Sequence, residues 1–326
     1  MSQYSNVSAV PLSIGVFLAS DNYEHSDDQN TISATALLKP LRQIILGSRV
    51  PTEDAIIDLI QMMPSRMGSA IHDSIEQAWK VNYKVAMKTL GYPDKVIERI
   101  RINPKPEELD GETIPIYIEQ REYKQVGKFT VSGQYDFIGD GRIEDFKSTS
   151  CYSAIHGNND EKHMLQLSIY RWLNPKIVTK DEGAIQFIFT DWSKAKAMQD
   201  PKYPQQRIQQ RIHSLKSIPE TDNFVKQKLN QIEQHWDTPE ESLPLCSDED
   251  LWRSDPVFKY YKNPQNTKRS TKNFDTKQDA YIRMAEDNNV GIVKEVPGQV
   301  TACKFCQAFS ICSQKDSLIA AGDLVI

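Results

Sequence analysis

Long apolar runs are missing from this sequence of 326 residues. None approaches the roughly 18 apolar residues that a membrane-spanning helix needs, so we expect no membrane insertion. An apolar stretch, Ala9 to Ala19, follows residues that lack the positive charge of a signal peptide. We therefore expect an edge strand or a packing arm there.

An excess of positive charge is also missing. The chain has 39 basic and 44 acidic residues and a net charge of −5, so the protein as a whole does not attract polyanions over long distances. A nucleic acid would have to bind at a local basic surface.

Cysteine is scarce and odd in number, with five residues, and Cys303, Cys306 and Cys312 lie close together in the sequence. This is not the layout of a secreted protein that is stabilised by disulfide bonds. We expect a reducing, cytoplasmic compartment.

The hydrophobic content of 39% suffices for a core, and the patterns along the chain favour an α/β (α+β) fold. Residues 1–30 are predicted to form a flexible arm, 31–195 the core, and 196–326 a helical, basic region that carries the cysteines and packs on the core. The predicted helices are Thr31 to Gly47 with a break at Pro40, Glu53 to Met63 ended by Pro64, Ser65 to Gly91, Lys162 to Leu173, and Gln205 to His235. The predicted strands are Ile114 to Glu119, Gly127 to Ile138, Arg142 to Ser148, and Gly183 to Thr190.

A tight hairpin is predicted at Asp140-Gly141, because both residues suit the positive φ angles of a two-residue type I′ turn. Counting outward from this turn places Asp136 opposite Asp145. Two carboxylates about 5 Å apart repel each other unless a cation lies between them. Lys147 lies on the same face as Asp145, since side chains alternate along a strand.

A divalent metal between these carboxylates, with the ammonium group of Lys147 beside it, is an arrangement suited to hydrolysis of a phosphodiester. A three-residue turn would pair Asp136 with Glu144 instead, which makes Glu144 the second choice as a metal ligand. The alternative is a solvated hairpin with ordinary surface ion pairs. The apolar residues around the turn favour a buried strand pair, in which unpaired carboxylates would be costly.

Four segments, in this order, resemble the RecB-like branch of the PD-(D/E)XK nucleases, which includes phage and CRISPR-associated exonucleases. They are Gly68-Ser-Ala-Ile-His72-Asp-Ser-Ile-Glu76, Gly133-Gln-Tyr-Asp136, Asp145-Phe-Lys147 and Gln166-Leu-Ser-Ile-Tyr170. The resemblance implies a restriction-endonuclease-like core, in which a central mixed sheet is flanked by helices, with a helical C-terminal extension.

The resemblance also implies roles for individual residues. The implied metal ligands are His72, Asp136, Asp145 and the backbone carbonyl of Phe146. Lys147 would be the catalytic lysine, and Gln166 and Tyr170, which share one helical face, would line the site. A lone histidine on an amphipathic helix is more often structural, and Tyr170 could equally belong to the core; the shared order of the segments favours the site. The expected cofactor is Mg²⁺ or Mn²⁺, with one or two ions.

The cysteine cluster has the spacing C-x2-C-x5-C and is similar to part of the iron–sulfur site of several members of this family. Those relatives have a fourth cysteine before the histidine-bearing helix, and this sequence has none there. Only Cys151 and Cys246 remain, and Cys151 is badly placed just after the lysine strand. The incomplete ligand set favours buried free cysteines; an iron–sulfur cluster, or a zinc site completed by a histidine, is the alternative.

A basic and aromatic stretch from Phe258 to Tyr281 is predicted to contact nucleic acid, because basic groups neutralise phosphates and rings stack on bases. The alternative is a solvated charged face. The candidate residues are Lys259, Tyr260, Lys262, Lys268, Arg269 and Lys272.

These observations predict a Mg²⁺- or Mn²⁺-dependent deoxyribonuclease, an exonuclease that processes DNA ends in replication or recombination and is encoded by a phage, acting in the host cytoplasm. Its expected partners are DNA and a single-strand-binding or recombination protein. The alternatives are an inactive nucleic-acid-binding protein on the same fold and a site-specific endonuclease. A monomer and a ring-forming trimer both fit the sequence.

Overall fold

The computed structural model describes residues 4–20, 28, 30–51, 56–156 and 159–326. They form two compact units: residues 1–39 with 56–231, here called unit 1, and residues 40–55 with 232–326, called unit 2. Each unit has its own sheet and its own core.

The helices of the described residues are α1 Leu12–Ala19, α2 Ala34–Leu37, α3 Leu41–Gly47, α4 Met63–Gln77, α5 Tyr83–Thr89, α6 Asp94–Ile97, α7 Cys151–His156, α8 Asp160–Leu173, α9 Lys194–Gln199, α10 Ile218–His235, α11 Lys277–Glu286 and α12 Ser313–Ala320. A π-helical stretch, Ala78–Asn82, joins α4 to α5. Within the described ranges, the helices are all too short or too polar to cross a bilayer.

The strands are β1 Tyr4–Ser5, β2 Thr31–Ser33, β3 Ile57–Asp58, β4 Ile100–Ile102, β5 Ile114–Val126, β6 Phe129–Gly139, β7 Arg142–Thr149, β8 Glu182–Phe189, β9 Ile208–Ser214, β10 Val257–Tyr261, β11 Lys272–Phe274 and β12 Ile292–Val296.

The main sheet of unit 1 has the strand order β4-β5-β6-β7-β8-β9. The pairs β4–β5 and β7–β8 are parallel, whereas β5–β6, β6–β7 and β8–β9 are antiparallel. Helix α8 contacts strands β5 to β9, and α4 contacts β7. The prediction of a mixed α/β fold with a central sheet flanked by helices is therefore confirmed, while its assignment to one nuclease core stays a prediction.

The hairpin between β6 and β7 has the predicted register. Asp140 and Gly141 have φ angles of 50° and 74°, as a type I′ turn requires. The ladder pairs Gly139 with Arg142 and ends at Phe137–Glu144, so Asp136 and Asp145 stand one step beyond the last pair.

The sheet forks at this point. Beyond the last β6–β7 pair, β7 continues alongside β8, and β2 pairs in parallel with β6 at residues 130–132. The backbone near Asp136 is consequently open on the β7 side, where side chains and backbone groups can converge.

The core beneath the fork is made of large apolar side chains. Tyr135, Ile138, Ile143, Phe187 and Trp172 are almost completely buried. Each such side chain contributes about 1.5–3 kcal/mol by leaving water. This packing holds strands β6, β7 and β8 in place around the site.

Unit 2 contains the antiparallel sheet β11-β10-β12 and a separate apolar cluster of Leu251, Val300 and Leu324. Arg42 is buried in this unit, where it forms an ion pair with Glu240 and donates to the carbonyl of Leu243. A buried guanidinium requires such partners, since an unpaired charge would be costly.

The local predictions near Pro11, Pro64 and Gln205 were wrong, and Thr31–Ser33, predicted as the start of a helix, is strand β2. Leu12–Ala19 is a helix that follows Pro11, whereas an edge strand or arm was expected. Pro64 lies in the first turn of α4 and does not end a helix, because a proline at a helix start loses no hydrogen bond. The stretch predicted to be helical from Gln205 contains strand β9, which pairs with β8 before helix α10 begins.

The expected arm at residues 1–30 and the expected helix from Glu53 lie partly outside the described residues.

Gly133 allows α8 to lie close to β6. A Cβ atom at this position would stand 2.6 Å from Leu173 Cδ1 and 3.0 Å from Tyr170 Cδ1. Contacts this short force neighbouring side chains to move. Gly133, the first residue of the second of the four segments, therefore allows close packing of α8 beside the site.

Replacing Gly133 by alanine is expected to lower the free energy of unfolding by about 1–3 kcal/mol, because Leu173 and Tyr170 must shift. Urea denaturation measures this change. The matched control is Gly111→Ala, where an added Cβ meets nothing within 4 Å. Its effect should stay within about 0.5 kcal/mol. An unchanged midpoint for Gly133→Ala would contradict the close approach of α8 to β6.

Candidate metal centre

Three ligand groups converge at the fork of the sheet. His72 comes from α4, Glu119 from β5 and Asp136 from β6, and one ligand atom of each lies within 4.8 Å of the other two. In the β5–β6 register, Glu119 stands between the pairs Ile118–Phe137 and Gln120–Tyr135, directly opposite Asp136. Two adjacent strands thus bring two carboxylates to one imidazole.

The ring of His72 is held from both sides. Its Nε2 lies 3.0 Å from the carbonyl oxygen of Phe146, and its Nδ1 lies 3.5 Å from both Glu119 Oε1 and Asp136 Oδ2. When Nε2 donates to the carbonyl, the lone pair of a neutral ring points from Nδ1 towards the carboxylates. Gly68, one turn earlier on α4, permits this approach, since a Cβ there would stand 3.3 Å from Ser148 Oγ.

Asp136 is 7% exposed and is fixed by the opposite strand. Its Oδ2 accepts a 2.7 Å hydrogen bond from the backbone N–H of Phe146. This bond replaces the ladder pairing that ends at Phe137. Phe146 thereby positions Asp136 through its N–H and His72 through its carbonyl.

Lys147 and Asp145 form an ion pair beside the group of His72, Glu119 and Asp136. The Nζ atom lies 2.7 Å from Asp145 Oδ2, and Gln166 Nε2 donates to Asp145 Oδ1 at 2.9 Å. Gln166 also donates to the hydroxyl of Tyr170 at 3.0 Å. Asp145 is 1% exposed, so these partners take the place of water around its carboxylate.

The electrostatics reflect crowding of like charges. Burial, with the charge of Asp145 added, raises the pKa of Asp136 to about 8. Burial opposes protonation of His72, but the hydrogen bond to Glu119 and the charges of Asp136 and Glu119 raise its pKa to about 9. In the same way burial opposes the charged form of Lys147, yet the carboxylates of Asp145 and Asp136 raise its pKa above the ordinary value.

The donor set fits a divalent cation. One imidazole nitrogen and two carboxylate oxygens are ligands that bind Mn²⁺ and other divalent ions, and the raised pKa values show that the site lacks positive charge. Protons fill part of this deficit in the metal-free protein. His72, Glu119 and Asp136 could therefore hold a metal ion.

The other predicted ligands have different contacts. Asp145 is bound by Lys147 and Gln166, and the carbonyl of Phe146 by His72. Glu144 accepts from Arg142 and Gln186, and alternation along β7 turns it to the face opposite Asp145.

Glu119 was not identified from the sequence, although a signal for it exists. Gly127 has a φ angle of 59° in the turn between β5 and β6, and Val126 pairs with Phe129 across it. Counting outward from that turn would have placed Glu119 opposite Asp136. Glu119 itself has a φ angle of 49°, a conformation rare for non-glycine residues and common at functional sites.

A cleft of about 950 Å³ opens above these residues. His72, Glu119, Asp136 and Lys147 belong to its lining. The rest of the lining is mixed and includes the basic Arg66 and Arg121, the polar Ser33, Ser65, Ser69 and Gln134, the acidic Asp73, and the apolar Phe17 and Met62. Lys147, Arg66 and Arg121 are the groups of the lining that could contact an anionic ligand.

The cysteine cluster of unit 2 includes a fourth residue. Gln314, two positions after Cys312, accepts from the N–H of Cys246 and donates to its carbonyl, both at 2.9 Å. Burial raises the pKa of Cys246 to about 12, and the nearby groups that add to this are Asp250, Cys312, Cys306 and Cys303. Cys246 thus lies beside the three predicted cysteines, whereas Cys151 is buried in unit 1.

The predicted nucleic-acid-binding residues lie on or near β10 and β11. Lys262, Lys268, Arg269 and Lys272 are exposed, and Lys259 is half-buried. Tyr260 is fully buried, and its hydroxyl donates to Asp287 and to the carbonyl of Val290. Its ring therefore has no face on which a base could stack.

Comparison with known proteins finds no family model and no curated protein that matches the chain. Among solved structures, the chain is similar to SSO0001 at 18% identity, with a TM-score of 0.39 over 64% of this chain and 78% of that one. It is also similar to a phage related exonuclease from Haemophilus somnus 129PT at 16% identity, with a TM-score of 0.26 over 37% of this chain and 60% of that one. At these values neither likeness bears on function.

The raised pKa values predict how stability depends on pH without metal. The folded protein binds protons at Asp136 and His72 more tightly than the unfolded chain, so the free energy of unfolding should fall as pH rises from about 4 to 9. Asp136→Asn should stabilise the metal-free protein at pH 9 by more than about 1.4 kcal/mol, the value of one pKa unit. Urea denaturation with a chelator measures this gain.

The exposed residue Asp255 supplies the control. Asp255→Asn should leave the pH profile unchanged. A loss of stability in Asp136→Asn at pH 9 would contradict the crowding of negative charge.

Proposed function

We propose that this protein is a metal-dependent nuclease that hydrolyses phosphodiester bonds of DNA, acting as an exonuclease. The observation that carries the proposal is the convergence of His72, Glu119 and Asp136 on one point, with the Lys147–Asp145 pair beside it, in an open cleft. A bound Mg²⁺ or Mn²⁺ ion would supply the polarisation of the phosphate and the acidification of a water molecule.

Lys147 is the group that meets the phosphate. Its ammonium remains charged, because Asp145 and Asp136 raise its pKa, and it is 31% exposed towards the cleft. Such a donor stabilises the negative charge that develops on the phosphate oxygens and orients the attacking water.

Gln166 acts as a positioning residue. It holds Asp145 with one amide hydrogen and reaches Tyr170 with the other, so the direction of Lys147 depends on helix α8. The small displacement that its loss would cause is enough to slow a reaction that depends on alignment.

The resemblance of the four sequence segments to RecB-like nucleases supports DNA as the substrate. The exposed basic residues near β10 and β11 are proposed to contact its backbone, because lysine and arginine neutralise phosphates. We propose a role in processing DNA ends in replication or recombination.

Digestion of end-labelled linear DNA and closed circular DNA, with Mg²⁺ or Mn²⁺, tests the proposal. Linear DNA should be lost while circular DNA persists. Lys147→Ala should slow the loss by at least about 10²-fold, the cost of removing a donor to developing charge. Lys180→Ala is the matched control, since Lys180 forms a more exposed ion pair with Asp140.

Equal digestion by Lys147→Ala and the wild type would contradict the proposed role of Lys147. Cutting of circular DNA would show an endonuclease. Binding without digestion would show an inactive nucleic-acid-binding protein.

We also propose that Cys246, Cys303, Cys306 and Cys312 hold a metal cofactor, with an iron–sulfur cluster as the group that the resemblance implies. Four thiol groups of one unit satisfy the number of ligands that such clusters require. The buried guanidinium of Arg42 donates to Cys312 Sγ at 3.4 Å.

Protein purified without oxygen should contain iron and labile sulfide, and Cys246→Ser should lose most of both. The reason is that removing one of four thiolates opens the site to water. Metal analysis and visible absorption measure this, and Cys151→Ser is the matched control because it lies in the other unit. Zinc in place of iron would identify a zinc site, and the absence of both metals would contradict the proposal.

A further inference from the structure

A second group of metal-ligating side chains lies at the start of α8. Asp160 is the first residue of the helix, His163 follows one turn later, and His213 is on β9. One ligand atom of each lies within 4.8 Å of the other two. The group shares no residue with His72, Glu119 and Asp136.

The local structure explains this convergence. Arg211 and His213 lie two residues apart on β9 and so point to the same face of the sheet, the face that α8 covers. Asp160 and His163 lie three residues apart and so share one face of the helix. An ion pair between Arg211 and Asp160 joins the helix to the strand.

We propose that Asp160, His163 and His213 bind a divalent transition metal such as Zn²⁺. The imidazole rings lie 6.2 Å apart at an interplanar angle of 73°. His163 Nδ1 and His213 Nε2 are buried and have no hydrogen-bond partner among the described residues. A buried polar atom without a partner is costly, and a metal ion would supply the missing interaction for both rings.

The donor set differs in kind from that of the first site. Two imidazoles and one carboxylate favour Zn²⁺ or Fe²⁺, whereas Mg²⁺ prefers oxygen ligands. Three protein ligands leave further coordination positions for water. Arg211 binds one oxygen of Asp160, which leaves the other oxygen for the metal.

The position of the site gives it a consequence for helix α8. His163 precedes Gln166 by one turn, and the ring of His163 contacts that of Phe187, which is the register partner of Lys147. A metal at this site would join the first turn of α8 to β9 and so hold the helix that orients Gln166. The proposal does not depend on nuclease activity.

Titration with Co²⁺ in the presence of excess Mg²⁺ tests the proposal, because Co²⁺ bound by nitrogen and oxygen has visible bands without the intense near-ultraviolet band of thiolate ligands. The wild-type chain should show these visible bands. His163→Gln and His213→Gln should weaken Co²⁺ binding by at least about tenfold, since each removes a ligand. His72→Gln and His235→Gln should retain the bands.

Asp160→Asn provides a variant that keeps both histidines in place. Asp160 is 46% exposed, and the matched control is Asp181→Asn, which removes the carboxylate of the comparable pair with Arg171. Weaker Co²⁺ binding in Asp160→Asn, together with unchanged binding in Asp181→Asn, supports the site. Absence of the visible bands in the wild type, their loss in His72→Gln, or their persistence in all of the His163, His213 and Asp160 variants would overturn the proposal.

Discussion

Repulsion between buried carboxylates is the interaction on which this site depends. Glu119 and Asp136 face the same imidazole, and Asp145 adds its charge from the next strand. Left without a cation, the group takes up protons, as the raised pKa values of Asp136 and His72 show. The fold accepts this cost because hydrophobic packing of neighbouring residues on the same strands holds them in place.

The surrounding structure is arranged to bring these charges together. Two tight turns, at Gly127 and at Asp140-Gly141, fix the register of three strands, and the fork of the sheet opens the space between them. Phe146 uses its N–H and its carbonyl to hold Asp136 and His72. The site is consequently built as much from backbone geometry as from side chains.

Much of this arrangement could be predicted from the sequence, because its signals are local. Asp140-Gly141 fixed the hairpin register, and alternation placed Lys147 on the same face as Asp145. Glu119 was missed because finding it requires counting from a second turn, at Gly127, and its unusual backbone angle has no signal in the sequence.

Contacts between residues that are distant in the chain were still harder to predict from the sequence. The proximity of Cys246 to Cys303, 57 positions away in the printed sequence, arises from packing within unit 2. His213 reaches His163 because β9 pairs with β8, and its stretch has a polar composition that predicted a helix. Periodicity alone cannot distinguish a short polar strand from the start of a helix.

Measurement of Mn²⁺ binding by electron paramagnetic resonance tests the central claim most directly. The wild type should bind Mn²⁺, and Glu119→Gln should weaken binding by at least about tenfold because it removes a carboxylate ligand. Glu122→Gln, an exposed substitution on the same strand, should bind like the wild type. Equal affinity in Glu119→Gln and the wild type would contradict the account.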